Sequence, residues 1–118
     1  MKSDSLAVVH VGAHWDMREE YEGSPCSHAC AAKRILDVCP VFQIGIRNLS
    51  SEEAVLLHGC KSVRAIFSEE STDPRGFYPR DLAQFVRKKG IFTIDPDGLD
   101  PSMMPSVGTP EPGGISWE

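Results

Sequence analysis

Apolar and polar residues repeat along this chain in two periods, one of two residues and one close to four. The run LAVVHVG (residues 6–12) is apolar and β-branched and predicts a buried strand. SHACAAKRILDV (27–38) shifts to the helical period, with an apolar stripe through Ala31, Ile35 and Val38 punctuated by Cys30, Arg34 and Asp37. Pro40 stops that helix, and VFQIGI (41–46) predicts a second strand. SSEEAVLLHGC (50–60) predicts a helix with Ser51 as N-cap, acidic residues in its first turn and Gly59 at its end. SVRAIF (62–67) is a third strand and STDPRGFYP (71–79) a loop. RDLAQFVRKKG (80–90) reads as a helix whose basic last turn suits the dipole, with Gly90 as its stop. GIFTI (90–94) is a fourth strand, and loop follows from Asp95. Strands alternating with helices predict βαβ units and a parallel sheet, the α/β class. Ligands of such sheets bind outside the carboxyl ends of the strands.

Two polar clusters fall at those ends. Extended chain sends every second side chain to one face, so His10, Gly12, His14 and Asp16 share a face while Val9, Val11 and Ala13 take the other. Asp95 and Asp97 have the same spacing after the fourth strand. With His14 and Asp16 they bring one imidazole and three carboxylates together from two strand ends. Uncompensated, the carboxylates would repel one another and raise their own pKa values. A divalent cation removes that difficulty, and imidazole with carboxylate and no thiolate points to manganese or a similar borderline-hard ion. An aspartate-rich set suits two bridged ions, which lower the pKa of a shared water. A single aspartate after a strand is, on its own, more often a turn former or a helix N-cap.

Composition narrows the picture further. The 118 residues allow one domain, and 41% hydrophobic with 25% charged residues is ordinary for a globular chain. The net charge of −5 argues against a nucleic-acid partner and favours a cationic one. No apolar run approaches the ~20 residues of a membrane span. The start, MKSDSLAVVH, reads as a strand and not as a secretory signal, so a cytoplasmic protein is expected. Cys26, Cys30, Cys39 and Cys60 lack the paired spacing of a zinc site and are expected as reduced thiols, mostly packed as small apolar residues.

The longer patterns bring in a family. HVGAHWDMREEYEGSPCSHACAAKRIL resembles the first metal motif of the ureohydrolase (arginase/agmatinase) family, an Asp-Ala-His-x-Asp run followed by a loop ending in Ser-His. TIDPDGLDPSMMPSVGTPEPGG resembles its second signature, Ser-x-Asp-x-Asp-x-x-Asp-Pro with a later Thr-Pro-x-x-Gly-Gly turn, and IGIRNLSSEE between them is also family-like. The REEYEGSPCSHA form is most similar to the agmatinases. The resemblance implies a three-layer αβα arginase-like fold, present as a partial domain over residues 1–118, with the first motif at 10–28 and the second at 93–114. It makes His14, Asp16, Asp95 and Asp97 manganese ligands and His28 the proton shuttle near the leaving amine. A histidine suits that step because imidazole titrates near neutrality. Implied with these are a small guanidino substrate, release of urea and putrescine from agmatine in polyamine synthesis, and a trimeric or hexameric assembly. A related amidinohydrolase acting on formimidoylglutamate, guanidinobutyrate or arginine is the neighbouring reading. Asp100, Gly113 and Gly114 are expected to shape the loop, and Glu111 to be an exposed loop residue.

The sequence also departs from the pattern. Gly12 stands where the family has an aspartate bridging two ions. The family's other histidine ligand lies in a Gly-Gly-Asp-His type motif absent here. One ion would keep His14, Asp95 and Asp97, the other only Asp16 and a share of Asp95, so one Mn2+ or none is expected. Thr93 for Ser and PSVG after Met104 are milder drifts. Family domains are more than twice as long, so the expectation is a truncated, impaired ureohydrolase with exposed sheet edges. The competing expectation is a non-catalytic fragment that binds metal weakly or docks on a full-length paralogue.

Overall fold

The computed structural model describes residues 5–68, 82–83 and 89–117. Four parallel strands, β1 (Leu6–Val11), β2 (Val41–Ile46), β3 (Val63–Phe67) and β4 (Lys89–Ile94), form one sheet in the order β3-β2-β1-β4. Helix α1 (Ala31–Val38) joins β1 to β2, and α2 (Ser51–Gly59) joins β2 to β3. The expected α/β class with a parallel sheet is therefore what forms. The expected loop at 71–79 lies outside the described residues, as does most of the helix expected at 80–90, of which Leu82 and Ala83 are helical.

Alternation along β2 divides the core between the two faces of the sheet. Val41 and Ile46 pack with Trp15, Met17 and Val63, with Ala32 and Leu36 of α1, and with Leu57 of α2. Phe42 and Ile44 pack with Val9, Ile66, Leu82 and Ile115 on the other face. Ile44 and Ile46 would share a face in a regular strand, but the register slips between them at Gly45, whose φ of +87° favours glycine. Cys30 and Cys39 are buried and Cys60 packs against the helix-side core, as small apolar residues do, while Cys26 is exposed.

Three local expectations need correction. The buried face of α1 runs through Ala32 and Leu36, and Val38 is 55% exposed. The buried cysteines on either side, Cys30 and Cys39, fix the rotation of so short a helix. The N-cap of α2 is Ser50 rather than Ser51. Its hydroxyl accepts the Glu53 N–H at 3.3 Å while the Glu53 carboxylate accepts the Ser50 N–H at 2.7 Å, and only Ser50 has a glutamate three residues on. Gly90 lies inside β4, not at a helix end, because Lys89 and Gly90 already pair with Leu6 and Ala7.

The strand order places the site. From β1 the chain steps to β2 and β3 on one side, then returns to lay β4 on the other, so the order reverses between β1 and β4. That crevice is where a parallel sheet binds ligands. Val11 pairs with Ile94, and the Asp95 N–H donates to the Val11 carbonyl at 2.8 Å, so the two chains leave the sheet side by side. Among the described residues β4 pairs only with β1, and Ile91, Phe92 and Ile94 stand exposed, as expected of an uncovered edge.

Candidate functional site

The exit of β1 is less extended than its sequence suggests. The strand ends at Val11, Gly12 donates to the Ile44 carbonyl, and Trp15 donates to that of Asn48. Trp15 and Met17 are buried in the helix-side core, which leaves His14 and Asp16 half-buried at the crevice. Asp16 holds a positive φ of 53°, uncommon for a non-glycine residue, so the predicted alternation from His10 to Asp16 does not continue as a strand.

The exit of β4 turns at once. Asp95 N-caps the 3₁₀ turn Pro96–Gly98, its carboxylate accepting the Asp97 N–H at 3.2 Å, with Pro96 pre-set for the first position. The extended pairing expected for Asp95 and Asp97 is thus replaced by an N-cap. Asp97 is buried and bridges the two exits. One oxygen accepts the Ala13 N–H at 2.9 Å, and the other meets His14 Nδ1 at 2.8 Å and the Thr109 hydroxyl at 3.4 Å.

Behind these residues stands a support that the sequence did not reveal. Arg47, just past β2, donates to the carbonyls of Gly45, Asp97, Gly98, Leu99 and Glu111, the closest at 2.6 Å. Such a set of acceptors from three separate chain segments is available only once the sheet has formed. Glu111 is not a free loop residue, since its carboxylate lies 3.4 Å from His14 Nε2 and accepts a hydrogen bond from Asn48. Asp100 does shape the loop: it accepts from the Ser102 hydroxyl and from the backbone of Ser102, Gly113 and Gly114. These bonds, the Ser102 hydroxyl foremost, lower its pKa to about 2. Gly113 sits at φ +78°, and a side chain on Gly114 would come within 2.4 Å of the Asp100 nitrogen.

His14, Asp16, His28, Asp95 and Asp97 line one cavity of about 280 Å³, with Arg18 and Tyr21. A second cavity of about 350 Å³ shares Asp16, His28 and Asp95 as lining and adds His10 and Thr93. His28 opens the short turn His28–Cys30 and sets its ring edge-on to Tyr21, centroids 5.8 Å apart, while the Arg18 guanidinium lies 5.1 Å from the same ring. Burial raises the Asp16 carboxyl to about 6; nearby His14 lowers it, and the charges of Asp97, Asp95 and Glu53 raise it further. Burial lowers His10, against the pull of Asp95 and Asp97.

The donor types, imidazole and carboxylate, suit a hard divalent cation. Their arrangement does not: among the described residues no three His, Cys, Asp or Glu side chains stand as a metal-holding group. Asp97 gives one oxygen to Ala13 and the other to His14. The cluster is anionic and concave, and it is not a closed coordination shell.

Comparison with known proteins gives this geometry a context. The family model described as Arginase family matches residues 1–118. The N(1)-aminopropylagmatine ureohydrolase of Synechocystis sp. is 40% identical over 98% of this chain and 38% of its own length. The agmatinase of Halalkalibacterium halodurans is 36% identical, over 94% and 38%. The crystal structure of the agmatine ureohydrolase of Thermoplasma volcanium superposes with a TM-score of 0.78 at 32% identity, covering 95% of this chain and 39% of that one. The chain thus spans about two-fifths of the length of the relatives it matches.

Proposed function

Because this chain belongs to the arginase family, with the arginase-like α/β fold, we propose that it carries the strand-end half of a ureohydrolase centre for a small cationic guanidino compound of the agmatine type. The observation that carries the reading is the convergence of His14, Asp16, Asp95, Asp97 and His28 on one cavity at the β1/β4 crevice. A cluster of carboxylates there attracts a cation, either a guanidinium or a divalent ion. In this reading His14, Asp16, Asp95 and Asp97 would be the residues offered to Mn2+, and the chemistry the ion would supply is activation of a water. The described residues supply too few free donors to hold it alone, so no catalytic step is assigned through the ion. Asp97 orders the crevice by tying Ala13 to His14, and His28 at the mouth is the proton donor to the leaving amine.

A second substrate reading is N1-aminopropylagmatine, favoured by the 40% identity to a ureohydrolase named for it. The reaction stays the same and only the amine is longer. The competing non-catalytic reading keeps weak metal binding without turnover, with docking on a full-length homologue.

The test measures Mn(II) binding by EPR and urea release from agmatine, N1-aminopropylagmatine and arginine on the same preparation. The proposal expects weak Mn(II) binding by this partial donor set, weaker again by about tenfold in Asp95→Asn, since a charged donor is lost, and urea from the decarboxylated substrates ahead of arginine. Preference for arginine overturns the substrate class. Failure to bind Mn(II) overturns the ligand assignment, and binding without turnover supports the non-catalytic reading.

A further inference from the structure

The free edge of β4 carries a register of its own. Lys89 donates its N–H to the Ser5 carbonyl at 3.0 Å and Asp95 donates to that of Val11 at 2.8 Å, both toward β1. Backbone groups of a strand turn to alternate sides along the chain. Ile91 and Thr93 therefore also address β1, while Gly90, Phe92 and Ile94 hold their N–H and C=O outward. Among the described residues no strand lies on that side. The edge is apolar on both faces: Phe92 and Ile94 stand exposed on the face of their β1 partners Val9 and Val11, and Ile91 on that of Val8. Such an edge is a template for another strand.

The pattern along this edge is symmetric about Phe92. When two copies pair antiparallel, outward residues must bond to outward residues. One register uses all of them, with Phe92 opposite Phe92 and Gly90 opposite Ile94 in both directions. Backbone alternation alone selects that register, and it also sets Lys89 of each copy opposite Asp95 of the other. Opposite charges then meet at both ends, the two phenyl rings meet at the axis, and Ile91 faces Thr93, all favourable cross-strand pairs. A strand from a different protein would need none of this symmetry. A second copy of this chain needs all of it.

We infer that the β4 edge is a docking surface for a second copy of this chain, joined antiparallel across a two-fold axis at Phe92 so that the two sheets become one. The contact is self-complementary and uses up the edge, so it closes at the dimer. It is confined to one strand from each copy, so it is weak and dissociates on dilution. It does not depend on the cation-binding reading of the crevice.

Sedimentation velocity of the full chain from micromolar to near-millimolar concentration is expected to show a reversible monomer–dimer equilibrium. Phe92→Lys, which sets two ammonium groups against each other at the axis, should weaken association at least about tenfold, and Lys89→Glu, which turns a like charge toward Asp95, about threefold. Both positions are exposed in the single chain, so the fold should survive, as far-UV circular dichroism checks. If Phe92→Lys does not fold, Lys89→Glu carries the comparison. In an equal mixture of 13C-labelled and unlabelled chain, a filtered NOE between Ile91 Hα and Thr93 Hα is expected, because a non-hydrogen-bonded antiparallel pair brings its Cα atoms closest. A monomer at every concentration, growth beyond the dimer, association indifferent to the substitutions, or a dimer without that cross-peak overturns the inference.

Discussion

β2 and β4 are six-residue parallel strands of similar composition, VFQIGI and KGIFTI, yet every residue of β2 is buried and every residue of β4 is exposed. β2 sits between β1 and β3 and is covered on both faces by the two cores. β4 has β1 on one side and, among the described residues, no strand on the other. An apolar strand sequence therefore reports the pairing of a backbone, not the depth at which it lies. The difference matters for the site, because the crevice lies between β1, which β2 covers on its other side, and the exposed β4.

The sharpest way to break this comparison is to truncate matching aromatics. Phe42→Ala should destabilise the chain by about 3–5 kcal/mol as a buried ring is lost to a cavity. Phe92→Ala, 60% exposed, should cost about 1 kcal/mol or less. Urea denaturation midpoints for the two variants give the contrast directly, and equal losses would mean β4 is covered in solution.

Next in size is Arg47, the link from the end of β2 to the turn after β4. Arg47→Ala removes a cation hydrogen-bonded to the carbonyls of Asp97, Gly98, Leu99 and Glu111 and should cost about 2–3 kcal/mol. The effect should be local, with faster hydrogen exchange at the amides of Asp100 and Ile115, which pair across this turn. Uniform acceleration would assign Arg47 to the global core instead.

Asp16 supplies a pH test at the crevice between the strands. Its folded-state pKa of about 6 lies above the ordinary value of 3.8, so the folded chain binds the proton more tightly than the unfolded one. That stabilisation is fully present below about pH 4 and is lost as pH rises through about 6. In metal-free protein, Asp16→Asn should flatten the fall in urea midpoint across this window and gain stability at pH 7. An unchanged profile would place Asp16 in water rather than among Asp97, Asp95 and Glu53.

The smallest expected effect is at the cap of α2. Ser50→Ala should cost about 1 kcal/mol, while Ser51→Ala should change little, as thermal melting can read. The reverse order would restore the N-cap first expected from the sequence.

Much of the architecture was legible because it depends on local periodicity. β-branched runs and a four-residue helical spacing sufficed for four strands, two helices and a parallel sheet. The meeting of His14 and Asp16 with Asp95 and Asp97 followed from the rule that such sheets bind at strand ends. What stayed hidden involves partners far apart in the chain. Glu111 looked like a loop residue until the fold set it beside His14, more than ninety positions earlier. Arg47 carried no signal in the sequence, because the carbonyls it binds come from three segments that meet only in the fold. Asp95 shared the spacing of an extended pair with Asp97, and Pro96 between them made a capped turn instead.

The sequence by itself determined the elements, their parallel arrangement and the family, since each is written in short-range pattern and motif. The tertiary structure alone decided which strand is buried and which carboxylate is held. Those properties depend on burial and on the direction of hydrogen bonds between residues that meet only after folding, such as His10 and Gln43 on neighbouring strands.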